Sequence, residues 1–150
     1  MHLKLIACEV LTREICALIA TTPHVIDPEF TDKAAHEQSD RLRTILQAKI
    51  DQAAQSGKNY DAILLAFGLC GNATVGLQAR SMPLVMPRAH DCCTILLGSR
   101  SRFVEQFGAN PSTPFSSCGY IERGSYFLRT ADDGSSSIET GGDPLQRYIE

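Results

Sequence analysis

The chain has 150 residues, enough for one domain with its own core, and its 43% apolar and 21% charged residues are ordinary for a globular protein. No apolar run approaches the roughly 18 residues that a membrane span needs, and the basic residues are scattered over a chain of net charge -3, so we expect neither a membrane nor a nucleic acid as partner. Strand-like residues follow Met1 too closely for a secretory signal, which predicts a cytoplasmic location.

The first third of the chain alternates strand-like and helix-like patterns. LKLIAC, which ends at Cys8, is typical of a short buried strand, and apolar side chains at helical spacing follow it. HVIDPEF is a weaker strand candidate because it contains Pro28. The next helix is predicted from Ser39, which can cap it, to a stop at Gly57.

The middle of the chain predicts the centre of a sheet. YDAILLAF lacks polar alternation, as a parallel strand buried on both faces does, and a glycine-rich turn and a short helical piece follow it. PLVMP is a third strand, after which Asp91 and Ser99 can cap two short helices that end at Gly98 and Gly108. The alternation predicts an α/β fold with an open, mostly parallel, doubly wound sheet and helices on both faces, as in Rossmann-like proteins.

The C-terminal part has a different composition. TPFSSCGYIERGSYFLRT predicts a hairpin around Arg123 and Gly124, in which Tyr120 either lines a pocket or belongs to a strand. We expect an α/β domain over 1–130 and a flexible tail over 131–150, where PLQRYIE begins a helix that is incomplete at Glu150. We expect a further C-terminal portion to complete that helix, and the unfinished end also favours a homodimer.

Six cysteines in a reducing compartment predict thiols rather than disulfides, and no C-x-x-C motif is present. Cys8 ends the first strand, Cys70 follows the central strand, and Cys92 follows the third. Because the carboxyl ends of parallel strands share one edge of a sheet, we expect these thiols to meet there. Cys16 and Cys93 are assigned to the core, since free cysteine packs as a small hydrophobic residue.

Thiols with one imidazole suit Zn²⁺, and the predicted ligands are Cys8, Cys70, His90 and Cys92. Four ligands would make a closed structural site, whereas three would leave a position for water or a small-molecule substrate. Cys92 would lie at a helix N-terminus, which favours the thiolate and suits either metal ligation or nucleophilic attack.

Five further residues are candidates for the same cleft. Glu9 and Asp91 are candidates for general acid or base catalysis. Gly71 and Asn72, in the turn beside Cys70, are candidate cofactor contacts, and Arg88 is a candidate for binding an anionic group.

Three classes of function remain open on these residues. The first is a metal-thiolate centre that binds or activates a small molecule. The second is a module that holds a metal or cofactor without chemistry. The third is a hydrolase or thiol-redox enzyme in which Cys70 or Cys92 is the nucleophile and His90 the base.

Three separated motifs, CEVLTRE, ILLAFGLCGNATVGL and PRAHDCCTILLGS, resemble a family of prokaryotic proteins of unknown function, met in anaerobes and near genes for corrinoid-dependent methyltransferases. The likeness extends over roughly residues 3 to 128. It implies that Cys8, Cys70, His90, Asp91 and Cys92 lie in the shared motifs, whereas Cys93 and Cys118 depart from the family pattern. It also implies methyl or one-carbon metabolism, with a corrinoid protein or methyltransferase as partner.

Overall fold

A computed structural model describes residues 1–33, 38–110 and 113–123. A single 3-10 turn, Glu9–Leu11, joins the first strand to the first helix. Among the helices so described, none is both long and apolar enough to cross a bilayer. The elements in chain order are β1 His2–Cys8, α1 Thr12–Thr21, β2 Val25–Thr31, α2 Ser39–Gln55, β3 Ala62–Ala66, β4 Leu84–Val85, α3 Cys92–Leu97, α4 Arg100–Phe107 and α5 Cys118–Arg123.

The four strands form one open parallel sheet in the order β2-β1-β3-β4, which confirms the predicted fold class. At the level of Leu5, β1 pairs with Pro28 of β2 on one side and with Leu64 of β3 on the other. The weak strand candidate HVIDPEF is therefore a seven-residue strand. It tolerates Pro28 because β2 lies at the edge of the sheet, where a missing N–H disturbs the hydrogen-bond ladder least.

Helix α2 covers the face of the sheet on which Lys4, Ile6 and Cys8 lie. Its apolar stripe, Leu42, Leu46 and Ile50, is fully buried. At the rim of this contact Lys4 and Lys49 both bind the carboxylate of Glu29, so β1, β2 and α2 are joined by one ion-pair cluster. The predicted cap was wrong by one residue, because Ser39 is already helical and Gln38, without a side-chain hydrogen bond, is the N-cap.

Helix α1 packs on the opposite face of the sheet, as the prediction of helices on both faces requires. Ile15 is buried there, but an apolar groove of about 370 Å³ runs beside it over the sheet residues Leu3, Leu5 and Leu64. Leu18, which also lines this groove, is 68% exposed. This face of the sheet is thus less completely covered by the described residues than the face under α2.

Three expectations about local structure need correction. The helical piece expected after Asn72 is a series of turns, and the third strand is reduced to Leu84–Val85, since the prolines on both sides limit its pairing. The first arm of the expected hairpin is contradicted, because Cys118–Arg123 is helical. Its second arm and the tail over 131–150 lie outside the described residues.

The α2 contact can be tested with two leucines of contrasting burial. Leu46→Ala should lower the free energy of unfolding by about 3 kcal/mol, because it leaves a cavity under the sheet. The matched control Leu18→Ala, at an exposed position of α1 beside the open groove, should change it by about 0.5 kcal/mol or less. Urea denaturation followed by circular dichroism measures both, and equal losses would contradict the packing described here.

Candidate functional site

Three thiols from three strand ends lie at the carboxyl edge of the sheet. Cys8 is the last residue of β1, Cys70 lies in the turn that follows β3, and Cys92 is the first residue of α3. A negative charge on Cys92 raises the pKa of both Cys8 and Cys70, and a charge on Cys70 raises that of Cys8. Cys8 and Cys92 belong to one buried cluster of side chains and Cys70 packs against it, so we define these three side chains as the thiol cluster.

The thiol cluster is poorly solvated. Cys8 and Cys92 are 2% and 6% exposed, and Cys70 is partly buried. Burial raises the pKa of Cys8 to about 12 and that of Cys70 to about 11, and it also raises the pKa of Cys92. No cationic side chain is among the main influences on any of the three pKa values. Without a bound cation, all three thiols are therefore protonated near neutral pH.

The segment after β3 is held directly against the segment that precedes α3. The N–H groups of Leu69 and Cys70 donate to the carbonyls of Ala89 and His90, at 3.0 and 3.1 Å. Next to these bonds, a Cβ atom on Gly68 would lie only 2.6 Å from the Cα of Asp91. Only glycine allows this approach, which is why a glycine ends the apolar strand that leads to Cys70.

Cys70 begins a turn of unusual backbone conformation. Cys70, Gly71 and Asn72 have φ values of 45°, 64° and 67°, so three successive residues are left-handed. Two of the three carry side chains, for which this region is unfavourable. The carbonyl of Asn72 accepts a hydrogen bond of 2.9 Å from Nη2 of Arg43, which fixes the turn to α2. Gly71 and Asn72, predicted as cofactor contacts, lie here as parts of the turn.

Asp91 caps helix α3, as predicted. Its carboxylate accepts hydrogen bonds from the N–H and the hydroxyl of Thr94, at 2.8 and 3.0 Å, and lies 3.2 Å from Nδ1 of His90. Burial acts to raise the pKa of Asp91, but the hydrogen bonds from Thr94 and His90 outweigh it and hold that pKa below its ordinary value. The ionised carboxylate positions the start of α3, where Cys92 lies.

Tyr120 reaches the thiol cluster from α5. Its hydroxyl oxygen lies 2.6 Å from the sulfur of Cys92, and this hydrogen bond lowers the pKa of Cys92 against the opposing effect of burial. The approach of α5 depends on Gly119, because a Cβ atom there would lie 1.8 Å from the carbonyl oxygen of Val10. Of the two roles that the sequence left open for Tyr120, the one in a strand is contradicted, because Tyr120 lies on helix α5.

A row of aromatic rings connects Tyr120 with His90. Phe115 lies 5.5 Å from Tyr120 between ring centroids, Phe107 lies 6.2 Å from Phe115, and Phe103 lies 5.2 Å from Phe107. The imidazole of His90 is 6.3 Å from Phe103. Packed in this way, α4 and α5 form a wall along one side of the carboxyl edge.

Three other candidate residues lie around the thiol cluster without a hydrogen bond to it. The imidazole of His90 is 76% exposed, is hydrogen bonded to Asp91, and lines a groove that also contains Arg88. Glu9 accepts a hydrogen bond of 2.8 Å from the N–H of Lys33, so its carboxylate links the 3-10 turn to the end of β2. Its charge nevertheless contributes to the raised pKa of Cys8.

The other cysteines differ in burial. Cys93 is buried, as predicted, whereas Cys16 was wrongly assigned to the core, because its position on α1 faces solvent. Cys118 is exposed. In the described ranges, no group of three or more His, Cys, Asp or Glu residues is placed so that it could hold a metal ion.

A family model with the description "Protein of unknown function (DUF1638)" matches residues 30–141. The chain belongs to this family. The DUF1638 match confirms the resemblance predicted from the motifs, and it includes Cys70, Cys92 and Tyr120 but begins after Cys8. No curated protein and no solved structure matches the chain.

The contact between Gly68 and Asp91 predicts a selective effect of one methyl group. Gly68→Ala should lower the free energy of unfolding by about 2 to 3 kcal/mol more than Gly76→Ala, because only the former adds a Cβ against backbone. Gly76 has φ +84° and open space around it, so its substitution reports the conformational penalty alone. Equal effects in urea denaturation would show that the strand ends are not in close contact.

The hydrogen bond between Tyr120 and Cys92 predicts a change in thiol titration. In the metal-free protein, Tyr120→Phe removes a donor to the thiolate, so the pKa of Cys92 should rise further. The ultraviolet absorbance of thiolates, recorded against pH in variants with and without Cys92, isolates this transition. Phe115→Leu is the control, since it disturbs the same aromatic row but removes no hydrogen bond; an equal shift in that variant would contradict the assignment.

Proposed function

We propose that Cys8, Cys70 and Cys92 bind a soft metal ion, Zn²⁺ in the first place, and that this ion holds a small molecule at an open coordination position. The observation that carries the proposal is the convergence of three thiols from three separate strand ends. Thiolate sulfur is a preferred ligand of Zn²⁺, so the chemistry of the three donors fits the ion. Their arrangement in the described residues does not form a metal-binding group, so binding would require the side chains to rearrange. Three protein ligands in a tetrahedral shell leave the fourth position free, as in catalytic zinc sites.

The electrostatics of the thiol cluster support a cation as its ligand. Three thiols that are buried together resist ionisation, both because they are poorly solvated and because each thiolate would repel the next. A divalent cation removes both penalties at once, and its binding releases the thiol protons. The orientation of Cys92 toward Tyr120 suits the same role, since the hydroxyl can donate to the sulfur of a bound thiolate from outside the metal shell.

A metal-free cysteine nucleophile is less well supported. Such a cysteine needs a lowered pKa or an adjacent base, whereas burial raises the pKa of Cys70 to about 11 and also raises the pKa of Cys92. His90, the base considered for this role, is hydrogen bonded to Asp91 instead of to a thiol. The same arrangement leads us to leave His90 outside the proposed ligand set.

The reaction class we propose is methyl or one-carbon transfer, with a corrinoid protein or methyltransferase as partner. This part of the proposal rests on the family resemblance of the three motifs. A zinc ion in such reactions keeps an accepting thiol deprotonated and therefore nucleophilic. The contribution of this chain would be to hold the ion through the thiol cluster and to exclude water from it with the aromatic side chains of α4 and α5.

Elemental analysis of protein purified without chelator tests the proposal directly. The wild type should contain one equivalent of zinc, and Cys8→Ser, Cys70→Ser and Cys92→Ser should each lose most of it, because two remaining thiols bind Zn²⁺ far more weakly. Cys16→Ser is the matched control, since Cys16 is exposed on α1, and it should retain the metal. A metal-free wild type that stays folded would refute the proposal.

Two further measurements separate the alternatives. His90→Ala should retain zinc, and its loss from a folded variant would restore the four-ligand site predicted from the sequence. In the Co²⁺-substituted protein, an added small thiol should change the visible spectrum if a coordination position is open. An unchanged spectrum would indicate a closed shell, and with it a module that holds a metal without chemistry.

A further inference from the structure

A groove of about 740 Å³ lies between helix α4 and the segment that follows β4. It adjoins the thiol cluster along the chain, because Leu69 of its lining precedes Cys70 and His90 precedes the Asp91-Cys92 pair. Its volume is that of sites that bind small organic molecules. The proposed function makes no use of this groove.

The ionised side chains that line the groove are all positively charged. Arg88 and Arg100 line it, and neither guanidinium has an ion pair or hydrogen bond with any described residue. None of the described lining residues is acidic, and the carboxylate of Asp91, next in the chain to His90, is taken up by hydrogen bonds from Thr94 and from the imidazole. A chain of net charge -3 thus presents two uncompensated positive charges in one concavity.

Two other arginines of the chain, Arg80 and Arg13, form ion pairs with acidic residues. Arg80 binds the carboxylate of Asp51 through two nitrogens, at 2.6 and 3.1 Å, and Arg13 binds Glu122. These pairs are accounted for by the fold, since they join α2 to the loop after β3 and α1 to α5. Arg88 and Arg100 have no such structural role among the described residues.

The remaining wall of the groove is apolar. Phe103 presents its ring beside His90, Met86 and Leu69 contribute aliphatic surface, and Val104 and Leu69 are 57% and 41% exposed. Exposed apolar side chains beside unpaired arginines are typical of surfaces that bind ligands. A guanidinium fits the planar oxygens of a carboxylate or phosphate, and the aromatic ring fits an apolar body.

We propose that this groove binds an organic anion, with a carboxylate or phosphate held by Arg88 and Arg100 and an apolar body against Phe103. Such an anion is the substrate class of the neighbouring thiol cluster, and this second statement rests on the proposed function. The binding of the anion in the groove does not rest on the proposed function, because it requires neither a metal nor a cysteine.

Nuclear magnetic resonance titration of the metal-free, isotope-labelled protein tests the binding with four probes: phenyl phosphate, benzoate, inorganic phosphate and neutral benzyl alcohol. Phenyl phosphate, benzoate or both should shift the resonances of His90 and Phe103 and bind about tenfold more tightly than benzyl alcohol. Whichever of these two anions binds more tightly identifies the head group, phosphate or carboxylate, that the groove prefers. Inorganic phosphate should bind more weakly than phenyl phosphate, because it lacks the apolar body.

Substitutions of the two groove arginines test where the anion binds. Arg88→Gln and Arg100→Gln should each weaken binding of the organic anions about tenfold. Arg41→Gln is the matched control, since Arg41 is an exposed arginine on α2 outside the groove, and it should leave binding unchanged. Equal binding by the doubly substituted protein R88Q/R100Q and the control, equal binding of benzyl alcohol, or no binding of either organic anion would overturn the proposal.

The same titration on Cys70→Ser separates the two proposals. Anion binding that persists in this variant establishes the groove whatever its metal content. Anion binding that is lost from folded Cys70→Ser would show that the anion depends on the thiol cluster, and it would overturn the groove as an independent site. The zinc content of Arg88→Gln, which should equal that of the wild type, reports separately on the metal proposal.

Discussion

The backbone of Gly68 passes so close to that of Asp91 that no side chain fits between them, and the geometry of the carboxyl edge depends on this contact. It extends the pairing of β3 beyond the strand itself, through the bonds of Leu69 and Cys70 to Ala89 and His90. The two-residue strand β4 could not position the start of α3 alone. Because the contact is made by backbone, main-chain atoms bring the segments of Cys70 and Cys92 together, and the side chains of Asp91 and Arg43 then hold each segment in place.

A second close approach completes the site from the other side. Gly119 brings α5 against the turn that follows Cys8, and Tyr120 is thereby placed on Cys92. Two glycines, far apart in the chain, thus determine which elements surround the same sulfur atoms. The aromatic packing between α5 and α4 then links this site to the arginine-lined groove. A change in the position of either helix would therefore alter the geometry of both the thiol cluster and the groove.

Features encoded by neighbouring residues were predictable from the sequence. The caps at Asp91 and Ser99 and the buried strand β3 follow from local patterns, and the parallel sheet follows from their alternation. The contact of Tyr120 with Cys92 joins residues 28 positions apart, and no local pattern announces it. Cys16 was wrongly assigned to the core, because the assignment rested on the apolar character of a thiol and not on the direction in which this position of the helix faces.

The left-handed backbone at Cys70 lowers the stability of the folded protein. Glycine would adopt φ 45° freely, whereas any L side chain there costs about 1 to 2 kcal/mol of folding free energy. If stability alone determined the residue at this position, glycine would be favoured over cysteine. Its presence makes the turn a local compromise, in which some stability is given up and one sulfur atom occupies a fixed location.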